Sequence, residues 1–244
     1  MVSRCLAYAA VAACATLLAS PVFAGPRAVL ELFTSQGCSS CPAADRLLGK
    51  LTADPSLIAV SLSIDVWDYL GWRDTLADPR NTARWQAYSR SRGDGQRYTP
   101  QVVVNGAMHA IGSDMAAIDK AIAKTRQDAA TMSAPVKVAR AGDRLVVELP
   151  EGAPPAAALV SVWSLSKAIP VAITRGENKG RTVTYHNVVR RMIDLGPWTA
   201  TSHRWSVPLR DLAGEEVDMA AVTVQTGTAQ MPGLMLGAAM LDIR

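Results

Sequence analysis

The feature that most limits the architecture is a change of hydrophobic period near residue 131. Before it, short apolar runs alternate with amphipathic helical patterns. Residues 28–33 (AVLELF) and 57–64 (LIAVSLSI) are apolar runs of strand length, suited to burial on both faces. Residues 41–51 place Leu47, Leu48 and Leu51 on one helical face, with Pro42 in the first turn, where a missing N–H costs nothing. A second helix spans 81–92. Residues 101–111 form a hairpin around an Asn105-Gly106 turn. Ser113 or Asp114 caps a third helix to about residue 124, with Met115, Ile118 and Ile122 as its stripe. The order is β-α-β-α-β-β-α. After residue 133 the helical period vanishes. Strand patterns at 135–140, 144–149, 158–166, 169–174, 181–193, 203–209, 218–226 and 234–243 alternate with turn-rich stretches. That spacing predicts an antiparallel sandwich. The expected organisation is an α/β domain over 25–132 and an all-β domain over 133–244, joined in 131–135.

Residues 1–24 stand outside both halves. Arg4 precedes an apolar run, Pro21 breaks it, and Val22-Phe23-Ala24 fits a small-x-small cleavage site. This is the pattern of a secretory signal peptide cut after Ala24. The run falls short of the about 20 residues that a spanning helix needs. No membrane span is expected after cleavage, and the expected location is the periplasm or the exterior.

Cleavage changes the cysteine arithmetic. Of four cysteines, Cys5 and Cys14 leave with the leader, so Cys38 and Cys41 remain alone. One pair three residues apart cannot make a disulfide scaffold. Zinc would need two more ligands, and there is no His-x-x-His or second cysteine pair. Soft donors for copper exist in the cysteine pair, His109 or His186, and Met231 and Met235, although their spacing is not diagnostic. The 25 basic and 21 acidic residues give a net charge of +4 with no basic run, so nucleic acid is not an expected partner.

Cys38-Ser39-Ser40-Cys41 follows a buried strand and opens a helix. The unpaired N–H groups and positive dipole end there favour an anion. Cys38 is therefore expected to be partly thiolate near neutral pH and to act as nucleophile, with Cys41 resolving the mixed disulfide. Three acids are candidates for support. Glu31, in the strand leading to Cys38, is a candidate proton relay. Asp65 and Asp68 flank Trp67 after the second strand and either line the site or cap a turn. Trp67, Trp72 and Trp85 suit either an apolar rim for a protein substrate or the core, with the core favoured.

Tyr98-Thr99-Pro100-Gln101 directly precedes the hairpin strand. Together with the Cys-x-x-Cys it resembles the thioredoxin superfamily, and residues 99–106 followed by 111–114 look like the matching stretch of glutaredoxins. The resemblance implies a thioredoxin-like α/β domain before the all-β sandwich-like domain. It also implies a cis Pro100 packed on the cysteine pair, with Thr99 and Pro100 positioning a substrate chain. Residues 31–42, 65–74, 98–106 and 174–189 further resemble a family of secreted bacterial thioredoxin-like proteins that carries a domain-of-unknown-function label. That family tends to place a His where this chain has Ser63, which leaves no His there to move a proton.

These features point to an exported thiol–disulfide oxidoreductase that exchanges disulfides with protein partners. It would need no dissociable cofactor, the redox equivalents passing through Cys38 and Cys41. The alternatives are a binding or assembly module with a structural or regulatory Cys38–Cys41 bridge, and a copper-handling or metal-site maturation factor. Direction of electron flow, partner and oligomeric state are not encoded in any local pattern.

Overall fold

The computed structural model describes residues 25–199, 201–214 and 216–244. The expected leader, residues 1–24, lies outside them. The first half forms β1 (Ala28–Thr34), α1 (Cys41–Leu51), β2 (Leu57–Ser63), α2 (Pro79–Arg92), β3 (Gln101–Val104), β4 (Met108–Ile111) and α3 (Met115–Thr125), in the order the periodicity predicts. A single 3-10 turn, Asp68–Leu70, lies between β2 and α2. The second half forms β5 (Lys137–Ala141), β6 (Arg144–Leu149), β7 (Ala158–Ala172), β8 (Thr182–Trp198), β9 (His203–Pro208), the short α4 (Leu209–Leu212), β10 (Met219–Gly227) and β11 (Pro232–Asp242). The stretches 158–166 and 169–174, expected as separate strands, are one long strand, β7.

The assembly of these strands overturns the expected fold class. No thioredoxin-like α/β unit followed by a sandwich forms. Instead, strands of both halves build one mixed eight-stranded sheet, in the order β11-β10-β7-β8-β2-β1-β3-β4. Strands β5, β6 and β9 form a separate three-stranded sheet. The join is β2, which runs parallel to β1 on one side and to β8 on the other, where Ser61 meets Val188. The physical reason lies in β2 itself. All seven of its residues are buried, and an apolar strand covered on both faces suits the interior of a sheet, where both backbone edges find partners. β3 occupies the far side of β1, so the open edge of β2 goes to the long hairpin β7–β8.

Alternation along the strands sorts the cores. Ala28, Leu30 and Leu32 of β1 pack with Leu48 and Leu51 of α1 and Ile118 and Ile122 of α3. Val29 and Phe33 point the other way, to Trp85 and Tyr88 of α2. On β10, Val222 and Val224 meet Leu145, Val147 and Leu149 of the small sheet, while Ala221 faces the α2 side. The predicted Asn-Gly turn is present, with positive φ at both Asn105 and Gly106, as a tight hairpin needs. Asn105 also accepts from the Val29 N–H (2.8 Å) and donates to Thr125 (2.9 Å), tying the hairpin to β1 and α3.

A buried ionic cluster ties the halves together on the α2 face. Glu31 of β1 takes two hydrogen bonds from Arg84 of α2, Nε to Oε2 at 2.5 Å and Nη2 to Oε1 at 2.9 Å. The Tyr88 hydroxyl donates to Glu31 and accepts from Gln225 of β10. Arg84 also donates to Gln225 and stacks over the rings of Tyr88 and Trp163. Removing one partner of a buried pair leaves an uncompensated charge, at about 3–5 kcal/mol. Arg84→Met is expected to cost that much in urea denaturation, and Glu31→Met with Arg84→Met to recover most of it. Equal losses in the single and double variants would contradict this account.

Candidate functional site around the Cys38–Cys41 disulfide

Cys38 and Cys41 form a disulfide at the start of α1. β1 delivers the chain to a tight loop, where the Cys38 N–H donates to the Ser35 carbonyl and the Gly37 N–H to the Ser35 hydroxyl. Gly37 is dictated by contact: a Cβ there would stand 2.9 Å from Cβ of Trp67. Pro42 sits in the first turn of α1, as its sequence position predicts. Cys41 is wholly buried, Cys38 is 5% exposed, and Ser39 and Ser40 between them are exposed. The face at which a second sulfur can approach is therefore that of Cys38.

The Thr99–Pro100 peptide is cis, and this segment lies over the cysteine pair. Trp67 Nε1 donates to Thr99 Oγ1 at 2.8 Å, and Thr99 Oγ1 donates to Cys38 Sγ at 3.3 Å. The direction of this chain follows from chemistry. An indole N–H only donates, so Thr99 spends a lone pair on Trp67 and aims its proton at sulfur. Ser40 Oγ lies 3.4 Å from the same sulfur. Around this mouth, Tyr69 is 75% and Ile111 53% exposed. Tyr69 lies against Trp67, and Ile111 is followed by Gly112, whose N–H donates to the Pro100 carbonyl.

Other expected site residues fall elsewhere. Glu31 points to the α2 face, opposite α1, and is bound by Arg84 and Tyr88, so it stands away from Cys41. Asp65 accepts from the Thr82 hydroxyl at 2.7 Å and Asp68 from the Asp74 N–H at 3.0 Å; both brace the segment that carries Trp67. Trp85 is core and donates to Gln101, whereas Trp72 is partly exposed and donates to Gln36. Ser63 is buried. The copper donors considered from sequence sit on separate elements. His109 bonds Tyr98, His186 packs on Gly49 two turns beyond Cys41, Met235 is core and Met231 is exposed. No group of three or more His, Cys, Asp or Glu able to hold a metal occurs among the described residues.

Two residues not singled out from sequence complete the site. Asp45 lies one helical turn after Cys41 and is 2% exposed. Thr34 donates to its Oδ1 at 2.8 Å, while Oδ2 has no hydrogen-bond partner among the described residues. Burial pushes its carboxyl up to about 8, against the lowering effect of the Thr34 bond. The hydroxyls of Ser61, Ser63 and Ser166, on the same face of the sheet, are likewise buried without partners. Asp45 was accessible to helical spacing, because 41, 44, 45 and 48 form one buried stripe. Asn178, in the β7–β8 turn, lies in the motif at 174–189, but nothing local states what its side chain meets. Its Nδ2 donates to the carbonyls of Gln36 (2.9 Å) and Cys38 (2.8 Å), and its Oδ1 accepts from Arg181. It clamps the cysteine loop from the second half of the chain. On the other side of that loop the Gln36 N–H donates to Asp74, whose carboxyl burial raises to about 6.

The family model for "Protein of unknown function (DUF1223)" matches residues 29–225. The chain belongs to this family. A crystal structure of a protein from Agrobacterium tumefaciens is similar, at 31% identity and a TM-score of 0.80, over 89% of this chain and 94% of that one. No curated protein matches. The family spans both halves of the eight-stranded sheet, including the cysteine pair and the Asn178 turn that clamps it.

Asp45 makes stability depend on pH with a definite sign. Its carboxyl keeps a proton in the folded state up to about 8, against 3.8 for an ordinary aspartate. Between those values the unfolded chain binds fewer protons, so folding becomes less favourable as pH rises through that window. Asp45→Asn is expected to remove this loss. It should be more stable than the parent at pH 8, on the order of a few kcal/mol, and nearly equal to it at pH 4. Thermal denaturation of the oxidised protein at the two pH values measures it, and an unchanged pH slope in the variant would refute it.

Proposed function

We propose that the protein is a thiol–disulfide oxidoreductase of an exported compartment, exchanging disulfides with protein partners through Cys38 and Cys41. The observation that carries this reading is the donor chain from Trp67 through Thr99 to Cys38 Sγ. A disulfide sulfur gains little from such a donor. A thiolate gains a charge-assisted hydrogen bond, and stabilising the charged form lowers the thiol pKa. The helix start adds its dipole to the same atom. The signal-like pattern of residues 1–24 supplies the compartment, where such pairs can persist as disulfides.

From the disulfide form, a partner thiolate attacks Cys38 Sγ. The new partner–Cys38 bond forms as the Cys38–Cys41 bond breaks, and Cys41 leaves as a thiolate. Asp45, protonated near neutral pH and one helical turn away, gives that thiolate its proton. The second thiol of the partner gives its proton to solvent and attacks the partner sulfur of the mixed disulfide, expelling Cys38 as a thiolate held by Thr99. The partner is oxidised by two electrons and the cysteine pair is reduced. The same steps run backward against a partner disulfide, with the Asp45 carboxylate taking the Cys41 proton. No dissociable cofactor enters. Tyr69, Ile111 and Trp67 offer apolar area to a substrate chain beside Thr99 and Pro100. The second half holds the cysteine loop through the Asn178 turn.

Two measurements test the proposal. Thr99→Val and Trp67→Phe are expected to raise the Cys38 pKa by about one unit, read from thiolate absorbance in the reduced protein. Cys41→Ser is expected to accumulate mixed disulfides with exported proteins that a further Cys38→Ser removes. An ordinary thiol pKa in the parent together with no trapped partner would leave the disulfide a structural bridge.

A further inference from the structure

On the α2 face, opposite the disulfide, α2 and the strands β7, β8 and β10 enclose a cavity of about 290 Å³. This is close to the lower end of the range for small-molecule sites. Its apolar wall is Leu159, Trp163 and Met192. Two polar groups inside it lack partners. Arg84 spends Nε and Nη2 on Glu31, Tyr88 and Gln225, but Nη1 makes no hydrogen bond among the described residues. Thr223 is 2% exposed, lines the cavity, and its hydroxyl has no hydrogen bond among the described residues.

Asp194 lines the same cavity, with Ser161 donating to its Oδ1 at 2.8 Å. Its carboxylate is near enough for Arg84 to feel its charge, yet the two make no ion pair. A cationic donor edge and a carboxylate thus stand apart across one small space. Of the other arginines on the rim, Arg80 is held by Asp78, and Arg90 is exposed.

We propose that this cavity binds a small zwitterion with an apolar side chain, an α-amino acid in size and chemistry. Its carboxylate seats on Arg84 Nη1 and the Thr223 hydroxyl, its ammonium on Asp194, and its side chain on Trp163 and Met192. The site lies away from the cysteine pair, and the proposal does not depend on the redox reading. A simple anion would be repelled by Asp194, and a simple cation would leave the Arg84 Nη1 and Thr223 donors without an acceptor. Only a ligand carrying both charges uses both groups.

Calorimetric titration of the whole protein tests this with three probes: leucine, isocaproate (which lacks the ammonium) and leucinamide (which lacks the carboxylate). Leucine is expected to bind, and the other two at least about tenfold more weakly, the loss expected for one charge-assisted hydrogen bond. Asp194→Asn should bring leucine down to the affinity of isocaproate. Ala83→Phe, an exposed α2 position on the cavity, should abolish binding by filling the space. No binding of leucine, equal binding of all three probes, or unchanged leucine binding in Ala83→Phe would overturn the proposal.

Discussion

The structure depends on the second edge of β2. A strand buried along its whole length needs partners for the backbone groups on both edges. β1 supplies one side and β8 the other. Once β8 is docked, its hairpin with β7 must lie beside α1. Gly49 shows how close that packing is: a Cβ at this helical position would come within 2.7 Å of the His186 ring. Glycine costs about 1 kcal/mol in a helix interior relative to alanine, and close contact with β8 is what the position gains.

The same docking shapes the site around the Cys38–Cys41 disulfide. The β7–β8 turn carries Asn178 to the cysteine loop, where one amide satisfies two buried carbonyls. Buried carbonyls left unpaired would each cost about 1–3 kcal/mol, so the loop that sets Cys38 is held by a residue 140 positions away. Behind it, α1 buries Asp45, whose Oδ2 has no hydrogen-bond partner among the described residues. Among the described residues no cation is paired with Asp45, and burial keeps it protonated to about 8. The contrast with Glu31 is instructive. Both acids are buried close to the cysteine pair in sequence. Glu31 has a bidentate guanidinium and a phenol, and so serves as one half of a structural ion pair. Among the described residues Asp45 has one neutral donor, Thr34, and so retains its proton.

Much of this was legible in local pattern. The element order of the first half, the helix beginning at Cys41, the Asn105-Gly106 turn and most strands of the second half follow from apolar period and turn chemistry, which act over a few residues. The Thr99-Pro100 segment beside the cysteines was expected from the resemblance to the thioredoxin superfamily. What local pattern missed is consistent in kind. Glu31 sits on the wrong face for a relay because alternation along a strand reverses with every residue, and nothing nearby states which face meets α1. Strands 158–166 and 169–174 fuse because β8 is long enough to pair with both.

By itself, the sequence determined the list of elements, the Cys38–Cys41 pair at a helix start and the glycines its tight turns require. These rest on short-range sterics and on hydrophobic period, which any window of the chain expresses. Only the tertiary structure decided that the two halves share one sheet. It also decided that Asp45 rather than Glu31 accompanies Cys41, and that Asn178 holds the cysteine loop. Those outcomes depend on which backbone edge finds which partner, a choice made between segments far apart in the chain that none of them carries alone.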